Sequence, residues 1–414
     1  MKILIVNALD IEGGAARAAY RLHQALLMED IDSKMLVQQK LSDDYKVIAP
    51  KTKWQRLILR LRLILDSLPV RLYRNRDKSL FSPDWFGFSS TVKLINDINP
   101  DVVHLHWVNH GMIHIEELSK IKAPIVWSMH DNWLFTGGCH VKWDCDKFLR
   151  KCGNCPRLGS ENEYDLSRYL YKRKQKAFAK VPNMIVVALS SWLAESAKNS
   201  SLLKSRNVVC LPNPINTETF APFDKSKARS LLNLPQNKKL IAFGAMSAIS
   251  DLNKGFEQLK AALNFIEDSN VELIVFGSSE PNEPQGFRQK ALYLGRLYDN
   301  VSLRTLYSAV DVLVVPSIQE AFGQTATESM ACGTPVVTFG ATGLLDIVDH
   351  KVNGYLAEPY DSSDLAKGID WVLKHVDYEE LRINARKKII AEFDSKLVAQ
   401  RYIDLYKKTL AERE

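Results

Sequence analysis

Short apolar runs of strand length alternate with helical stretches along the whole chain. The first half contains KILIVNA, KMLVQQ, DVVHLHW, PIVWSMH and NMIVVAL, and the second half contains KLIAFGA, VELIVFG, DVLVVPS and TPVVTFG. The stretches between them, for example residues 15–28, 254–267 and 323–332, repeat apolar residues with the 3.6-residue period of a helix. Buried strands separated by helices are typical of parallel sheets. We therefore predict an α/β fold with two Rossmann-like, doubly wound domains.

The length of the chain also favours two domains. Its 414 residues exceed the roughly 250 to 300 at which a single core stops growing. The best boundary is the run Leu-Pro-Asn-Pro at 211–214, because its two prolines can continue neither a strand ladder nor a helix. We predict an N-terminal domain over 1–210, a C-terminal domain over 211–394, and a final amphipathic helix over 395–414 that packs back onto the N-terminal domain.

Composition and charge exclude several classes of protein. Hydrophobic residues make up 46% of the chain and charged residues 25%, and no apolar run approaches the roughly 20 residues that span a bilayer. The start, MKILIVNALD, does not have the form of a secretory signal, which predicts a cytoplasmic protein with reduced cysteines. Residues 51–78 hold nine Lys and Arg against Asp66 and Asp77, so 9 − 2 = +7 equals the net charge of the chain. One local basic surface does not indicate nucleic-acid binding.

This basic stretch has two interpretations. Its apolar residues follow helical spacing, with arginines on either side: Trp54, Leu57, Ile58, Leu61, Leu65 and Leu68. The helix could pack on its own domain with solvated arginines. It could equally make a peripheral contact with an anionic membrane through residues 51–78, at the inner face where a lipid-linked acceptor would lie.

The segment over 311–346 carries the strongest signal for a ligand site. A strand ends near Pro316, a loop presents Glu320, and a helix that holds Glu328 begins directly after the turn over 321–323. Unpaired amides at the start of a helix, together with the helix dipole, suit a diphosphate. Carboxylates suit sugar hydroxyls. Taken alone, both glutamates could also be ordinary solvated residues.

This segment resembles the signature of the large retaining glycosyltransferase family 4, also called glycosyl transferases group 1, including its bacterial exopolysaccharide and colanic acid-type enzymes. There a glutamate, a Gly/Ala-Phe-Gly turn and a second glutamate follow one another, and the similarity extends from about residue 293 to 359. The resemblance implies the GT-B fold, in which two domains face a central cleft. It implies that Glu320 contacts the donor sugar and that Glu328 binds the ribose. It further implies that backbone amides hold sugar and phosphate oxygens at Phe322, Gly323, Gln324 and Thr325.

A lysine follows the first strand of the second half. Lys254 stands before a glycine at a helix start, where its ammonium can neutralise a leaving diphosphate. The family places its phosphate-binding lysine at this point, so the resemblance assigns leaving-group stabilisation to Lys254. The arginine that the family usually carries a few residues earlier is replaced by Ala-Met-Ser at 245–247.

Three further positions lie where parallel strands give way to loops. Gly13 and Gly14 join the first strand to the first helix and allow a ligand to approach the backbone, although a simple turn is the alternative. His130 ends the strand PIVWSMH at the edge of the sheet where ligands bind in such folds. The resemblance implies a donor and acceptor loop at the glycines and a hydrogen bond from His130 to the transferred sugar.

Four cysteines follow within 17 residues of each other: Cys139, Cys145, Cys152 and Cys155. They supply four thiolates at plausible zinc spacing. A structural zinc, a redox-labile pair and reduced packing cysteines all remain open. No cofactor is expected for catalysis.

We therefore predict a retaining GT-B glycosyltransferase of the hexosyltransferase type. It would move a sugar from a nucleotide diphosphate sugar to a saccharide or lipid-linked saccharide, for cell-surface or exopolysaccharide synthesis. The alternatives are a sugar-nucleotide epimerase and a catalytically silent module that binds a nucleotide sugar or a partner.

Overall fold

A computed structural model describes residues 1–50, 53–85, 90–244, 251–280 and 286–412. The chain forms two compact units. The first contains Met1–Asn213 and Val398–Glu414, and the second contains Pro214–Leu397. The chain thus leaves the first unit three residues after the predicted boundary at 210 and returns to it within the C-terminal helix.

Parallel strands form the sheet of the first unit. The strands are Lys2–Leu9 (β1), Asp32–Gln39 (β2), Val47–Ile48 (β3), Val102–Leu105 (β4), Ile125–Met129 (β5), Ile185–Ala188 (β6) and Val208–Cys210 (β7). They lie in the order β3-β2-β1-β4-β5-β6-β7. The helices are Gly14–Met28 (α1), Lys53–Arg71 (α2), Thr91–Ile98 (α3), Leu166–Ala179 (α4) and Ser191–Asn199 (α5).

The second unit repeats this plan. Its strands are Lys239–Gly244 (β8), Val271–Phe276 (β9), Lys290–Tyr293 (β10), Val312–Val315 (β11), Val336–Phe339 (β12) and Gly354–Ala357 (β13). They are parallel and lie in the order β10-β9-β8-β11-β12-β13. Its helices are Lys225–Leu231 (α6), Phe256–Leu263 (α7), Asn300–Ala309 (α8), Gln324–Ala331 (α9), Ser362–Leu373 (α10) and Tyr378–Phe393 (α11). The last helix, Ser395–Ala411 (α12), begins in this unit and continues into the first.

The C-terminal helix α12 belongs to the core of the first unit from Val398 onward. Tyr402 and Tyr406 are fully buried there among side chains of β1, β2 and α1. The Tyr406 hydroxyl lies 2.7 Å from Nδ1 of His104 on β4, so a polar contact also fixes the helix to the sheet. Burial of these large rings stabilises the docked helix by roughly 1.5 to 3 kcal/mol for each side chain.

The predicted α/β fold with two Rossmann-like sheets is confirmed. Each of the nine apolar runs contains a strand, because a parallel strand is buried on both faces and is therefore apolar throughout. Four short strands were not predicted: β3, β7, β10 and β13. The strand β10 has exposed or half-buried side chains and lies at the edge of its sheet, so its sequence lacks the apolar run.

Parallel pairing brings the ends of neighbouring strands to the same edge of each sheet. In the first unit, the loop after β1 carries Gly13, the loop after β4 carries Trp107, and His130 directly follows β5. In the second unit, the loop after β11 carries Glu320. These edges are where ligands bind in open α/β sheets. Within the described part of the chain, no helix has the length and apolar character that crossing a membrane requires.

Candidate active site

The start of α9 in the second unit is built on a glycine. Gly323 precedes the helix with φ 114°, in the region that favours glycine, and a Cβ there would lie 2.6 Å from Cδ2 of Leu344. The helix begins at Gln324, and the first amides of any helix have no partner within the helix. Phe322 is buried and packs against the ring of Phe393 at 5.6 Å. Phe322 can therefore meet a ligand through its backbone rather than through its ring.

Lys254 lies next to Glu320 because two loops are joined by hydrogen bonds. The amide of Ile318 donates to the carbonyl of Asn253 at 2.9 Å, and the Asn253 side chain donates to the carbonyl of Gln319 at 2.7 Å. Between the loops, Gly255 has φ 73° and approaches Pro316 so closely that a Cβ would lie 1.8 Å from its carbonyl oxygen. The backbone thus fixes the distance between the lysine and the glutamate.

The Lys254 ammonium donates to Oε1 of Glu320 at 2.6 Å. The same oxygen accepts the hydroxyl of Ser317 at 2.9 Å. Burial opposes the charge of Lys254, but the Glu320 carboxylate outweighs it, and the pKa of Lys254 is raised. With a quarter of its side chain exposed, Lys254 is a fixed cation that a ligand can reach.

Glu328, predicted to face a ligand, is only 3% exposed on α9. Its Oε2 accepts the hydroxyl of Tyr307 at 2.8 Å, inside the unit. A buried carboxylate held by a hydrogen bond is pre-oriented, because it cannot turn toward solvent. The arginine position at 245–247 lies outside the described residues.

In the first unit, the loop after β1 is held by one buried carboxylate. Asp10 accepts the backbone amides of Ile11, Leu41 and Ser42 at 2.8 to 3.0 Å. Gly13 is the N-cap residue directly before α1. Its φ is 98°, and a Cβ at this position would meet no atom within 4 Å. The left-handed backbone requires the glycine, and the open space next to it leaves room for a ligand. Gly14 is the first residue of α1.

His130 belongs to a row of histidines. Its Nε2 lies 2.8 Å from Nδ1 of His106, and the two rings are stacked with centroids 5.0 Å apart. Desolvation lowers the pKa of His130 to about 4, against the opposing influence of Asp131. His130 is therefore a neutral hydrogen-bonding group near pH 7. Nε2 of His106 is buried and has no hydrogen-bond partner among the described residues.

Asp131 is the centre of a second polar group that the sequence did not reveal. Its carboxylate accepts from Nδ1 of His140 at 2.6 Å, from the indole of Trp107 at 3.0 Å and from the amide of Trp133 at 2.8 Å. Nε2 of His140 lies 2.8 Å from the hydroxyl of Ser82. Burial opposes the charge of Asp131, but His140 outweighs it and lowers the pKa of the carboxyl. The adjacent His130 and Asp131 were the only local signal.

The four cysteines predicted as metal ligands line one small cavity of the first unit. Within the described ranges, no group of three or more His, Cys, Asp and Glu side chains already has an arrangement that could hold a metal ion. The structure thus brings the thiols together around a cavity without forming a finished metal site.

Two family matches span most of the chain. Residues 12–219 match Glycosyltransferase Family 4, and residues 224–388 match Glycosyl transferases group 1. The first match alone covers just over half of the 414 residues. The chain belongs to glycosyltransferase family 4. The prediction of a family 4 glycosyltransferase is therefore confirmed.

Three known proteins show how far the likeness extends. An uncharacterized glycosyltransferase of Methanocaldococcus jannaschii is 26% identical to this glycosyltransferase over 332 residues, which cover 74% of this chain and 82% of that protein. Sucrose-phosphate synthase from Thermosynechococcus elongatus superposes with a TM-score of 0.68 at 19% identity, over 100% of both chains. HepE of Anabaena, solved in complex with UDP and glucose, gives 0.64 at 18% identity, over 99% of this chain and 100% of HepE. These superpositions confirm the GT-B fold.

Proposed function

We propose that this family 4 glycosyltransferase transfers a sugar, with retention of configuration, from a nucleotide diphosphate sugar to a saccharide or lipid-linked saccharide acceptor. The observation that carries the donor assignment is the Lys254–Glu320 pair, with 2.6 Å between the ammonium and the carboxylate, beside the start of α9. A cation and helix amides receive a diphosphate, and a carboxylate receives sugar hydroxyls. The UDP bound to HepE supports a nucleotide donor.

The donor would lie across the start of α9. The Lys254 ammonium and the amides at Gly323, Gln324 and Thr325 would hold the diphosphate and neutralise the charge that develops as it leaves. Glu320 would orient the transferred sugar. Glu328, already fixed by Tyr307, would accept the ribose hydroxyls.

The proposed chemistry is a displacement on one face of the sugar. The bond from the anomeric carbon to the leaving phosphate breaks, a bond to the acceptor oxygen forms on the same face, and the acceptor proton passes to the leaving phosphate. No protein nucleophile is needed, and the family resemblance supports this route.

His130 would donate a hydrogen bond to the transferred sugar through Nδ1. Nε2 of His106 is buried and has no hydrogen-bond partner among the described residues. A buried acceptor without a partner is less rare than a buried N–H without one, so the His106 proton is assigned to Nδ1. His106 would then donate through Nδ1 to Nε2 of His130. His130 would then carry its own proton on Nδ1. Gly13 and Gly14 would let the sugar and the acceptor approach the backbone.

A lipid-linked acceptor is supported by the surface of the first unit. On α2 and just beyond it, Leu61, Ile64, Leu68 and Leu72 are 49%, 50%, 41% and 81% exposed. Their spacing of three to four residues places the α2 members on one face of the helix. Exposed basic residues end the helix at Arg71 and follow it at Arg74, Arg76 and Lys78. We propose that this basic apolar surface contacts the inner face of an anionic membrane during surface or exopolysaccharide synthesis.

The donor assignment is tested by measuring the thermal shift of the full chain with UDP, GDP, ADP and their common sugars. We expect one base to stabilise the parent, and we expect Lys254→Met and Glu328→Gln to reduce the shift at equal ligand concentration. Lys260→Met, on a lysine of α7 that is about one-third exposed, is the control and should behave as the parent. Absence of any shift with a folded parent would contradict the assignment. Nucleotide binding without transfer to any acceptor would favour the silent module, and nucleotide release with an epimerised sugar would favour the epimerase.

Retention and membrane contact need separate measurements. Proton NMR of the first product formed should show the anomeric configuration of the donor, and an inverted product would contradict the proposed displacement. Co-sedimentation with anionic vesicles should be reduced in Leu68→Glu and Leu72→Glu, whereas Ile383→Glu, at an exposed position of the second unit, should sediment as the parent. Equal sedimentation of all four proteins would contradict the membrane contact.

A further inference from the structure

The four cysteines after β5 surround a single cavity in the first unit. Cys139, Cys145, Cys152 and Cys155 all contribute to its wall, and its volume is about 20 Å³. A cavity of this size holds roughly one water-sized atom. Packing alone would not require four sulfur atoms around one void, since protein cores are normally filled.

Hydrogen bonds fix the backbone at three of these cysteines. The amide of Cys155 donates to the Asp165 carboxylate at 2.7 Å, and the amide of Cys152 donates to the carbonyl of Lys147 at 3.0 Å. The hydroxyl of Thr136 donates to the carbonyl of Cys139 at 2.8 Å. The backbone thus fixes the positions from which these thiols reach the cavity.

The backbone between Cys152 and Cys155 is held in an uncommon conformation. Cys152, Gly153 and Asn154 have φ angles of 52°, 94° and 45°. The Arg168 guanidinium donates twice to the carbonyl of Cys152, at 2.9 and 3.0 Å. Left-handed non-glycine residues persist only where the surroundings fix them, and they cluster at ligand sites. The turn thus brings its two cysteines to the same cavity.

Positive side chains line the same cavity. Lys142, Lys147 and Arg157 all contribute to its wall. Nε of Arg157 is buried and has no hydrogen-bond partner among the residues that the structure describes. Four thiolates around a divalent ion would carry a net charge of −2, which Lys142 and Lys147 would offset, while Arg157 is already paired with Asp77 at 3.0 Å. A thiolate would also give Arg157 Nε an acceptor.

We propose that Cys139, Cys145, Cys152 and Cys155 bind one structural zinc ion as a tetrahedral set of thiolates. The thiols are not yet in metal-binding geometry, so the ion would draw the sulfur atoms inward to about 2.3 Å. Each thiol that binds loses its proton to solvent. All four positions are then occupied by protein, which leaves no open position for substrate.

The zinc would also support the polar group beside His130. The relevance of this support to catalysis rests on the proposed function, whereas the metal site itself does not. Cys139 pairs with Phe81 across a β-bridge and is followed directly by His140, which holds Asp131. Phe81 is followed by Ser82, the other partner of His140. Fixing Cys139 would therefore hold His140 and its partner Ser82 in place.

The first measurement is the metal content of the full chain, expressed with added zinc and purified without a polyhistidine tag. Inductively coupled plasma mass spectrometry should find about one zinc per chain in the parent. We expect at least a fivefold loss in Cys152→Ser and Cys155→Ser. Cys210→Ser changes an exposed cysteine of the same unit and should retain the zinc of the parent.

A second measurement needs no variant, in case the cysteine variants do not fold. Cobalt(II) added to the metal-free parent should give thiolate-to-cobalt charge-transfer absorption that saturates at one equivalent and disappears when zinc is added. A folded parent with neither zinc nor this absorption would overturn the proposal, as would iron in place of zinc or a disulfide between Cys152 and Cys155. None of these readouts depends on sugar transfer, so they can fail while the proposed function stands.

Discussion

The two units assemble their candidate sites in different ways. In the second unit, Lys254 and Glu320 come from two loops whose backbones are hydrogen-bonded to each other, and Glu328 lies on the helix that follows. In the first unit, the polar groups around His130 and Asp131 are contributed by several segments of the chain, near residues 82, 106 and 140.

This difference determines how each site responds to change. The site of the second unit is local in the sense that a few backbone contacts and one charge pair form it, so a single substitution should remove most of its effect. A dispersed network shares its hydrogen bonds among several residues, so each substitution should remove less. The following experiments test this contrast.

The largest effect is expected for Lys254→Met. The substitution removes the cation assigned to the leaving diphosphate and leaves the Glu320 carboxylate without its 2.6 Å partner. Loss of one transition-state electrostatic group lowers kcat by roughly 10² to 10³. Initial rates at saturating donor measure this, with Lys260→Met as the control. A loss of less than tenfold would mean that the local site does not depend on this charge.

A smaller loss is expected for Asp131→Asn in the first unit. The amide keeps the shape of the side chain but removes the charge that holds His140 at 2.6 Å, so His130 would lose part of its support. We expect kcat to fall by about 10² or less, as for other positioning groups. The nucleotide thermal shift should be unchanged, because the donor groups lie in the second unit.

His350→Gln, an exposed histidine of the second unit, is the control for this variant. If Asp131→Asn abolished nucleotide binding as well, the separation between the two sites would be wrong.

Lowering the pH from 7 to 5 should reduce the unfolding free energy of the first unit by an amount comparable to the effect of Asp131→Asn on the activation free energy. Desolvation lowers the pKa of buried His23 to about 4, while its ordinary value is 6.5. Below pH 6.5 the unfolded chain binds a proton that the folded chain does not, so stability falls as the pH falls from 7 to 5. For this shift the loss is roughly 2 kcal/mol.

Urea unfolding at pH 7 and pH 5, followed by tryptophan fluorescence, measures this loss. All tryptophans except Trp371 lie in the first unit, so the signal reports mainly on that unit. His23→Gln should reduce the difference in unfolding free energy between pH 7 and pH 5 by about 2 kcal/mol. His375→Gln in the second unit should leave it unchanged. Equal pH dependence in all three proteins would contradict the assignment to His23.

The sequence predicted the local site well and the dispersed one poorly. Glu320, Lys254 and the turn before α9 were predicted because each lies in a short segment with its own pattern. His140, Ser82 and Trp107 were not predicted, because only the folded sheet brings them to Asp131. The nine buried strands were readable as apolar runs. The short or edge strands β3 and β10 were not, because pairing rather than hydrophobicity defines them.

Burial was the least predictable property. Phe322 and Glu328 belong to the same signature as Glu320, yet both are buried side chains. Sequence spacing places a residue at the start of a helix, but whether its side chain faces a ligand depends on the packing of α8, α9 and α11.

The smallest effect is expected for Tyr307→Phe. The Tyr307 hydroxyl donates to Oε2 of Glu328 at 2.8 Å, and both side chains are buried. Removal of this hydroxyl should weaken donor binding by about 1 to 2 kcal/mol, because a buried carboxylate oxygen loses its hydrogen-bond donor. Glu328 is proposed to hold the ribose, away from the reacting carbon, so the loss should affect ground state and transition state equally. The donor KM should therefore rise by roughly 5- to 30-fold while kcat stays unchanged. Tyr378→Phe removes a half-buried hydroxyl that donates to the Asp311 carbonyl in the same unit, and it should lower stability without raising KM. If both variants raise KM equally, Tyr307 acts through the packing of the second unit and not through the orientation of Glu328.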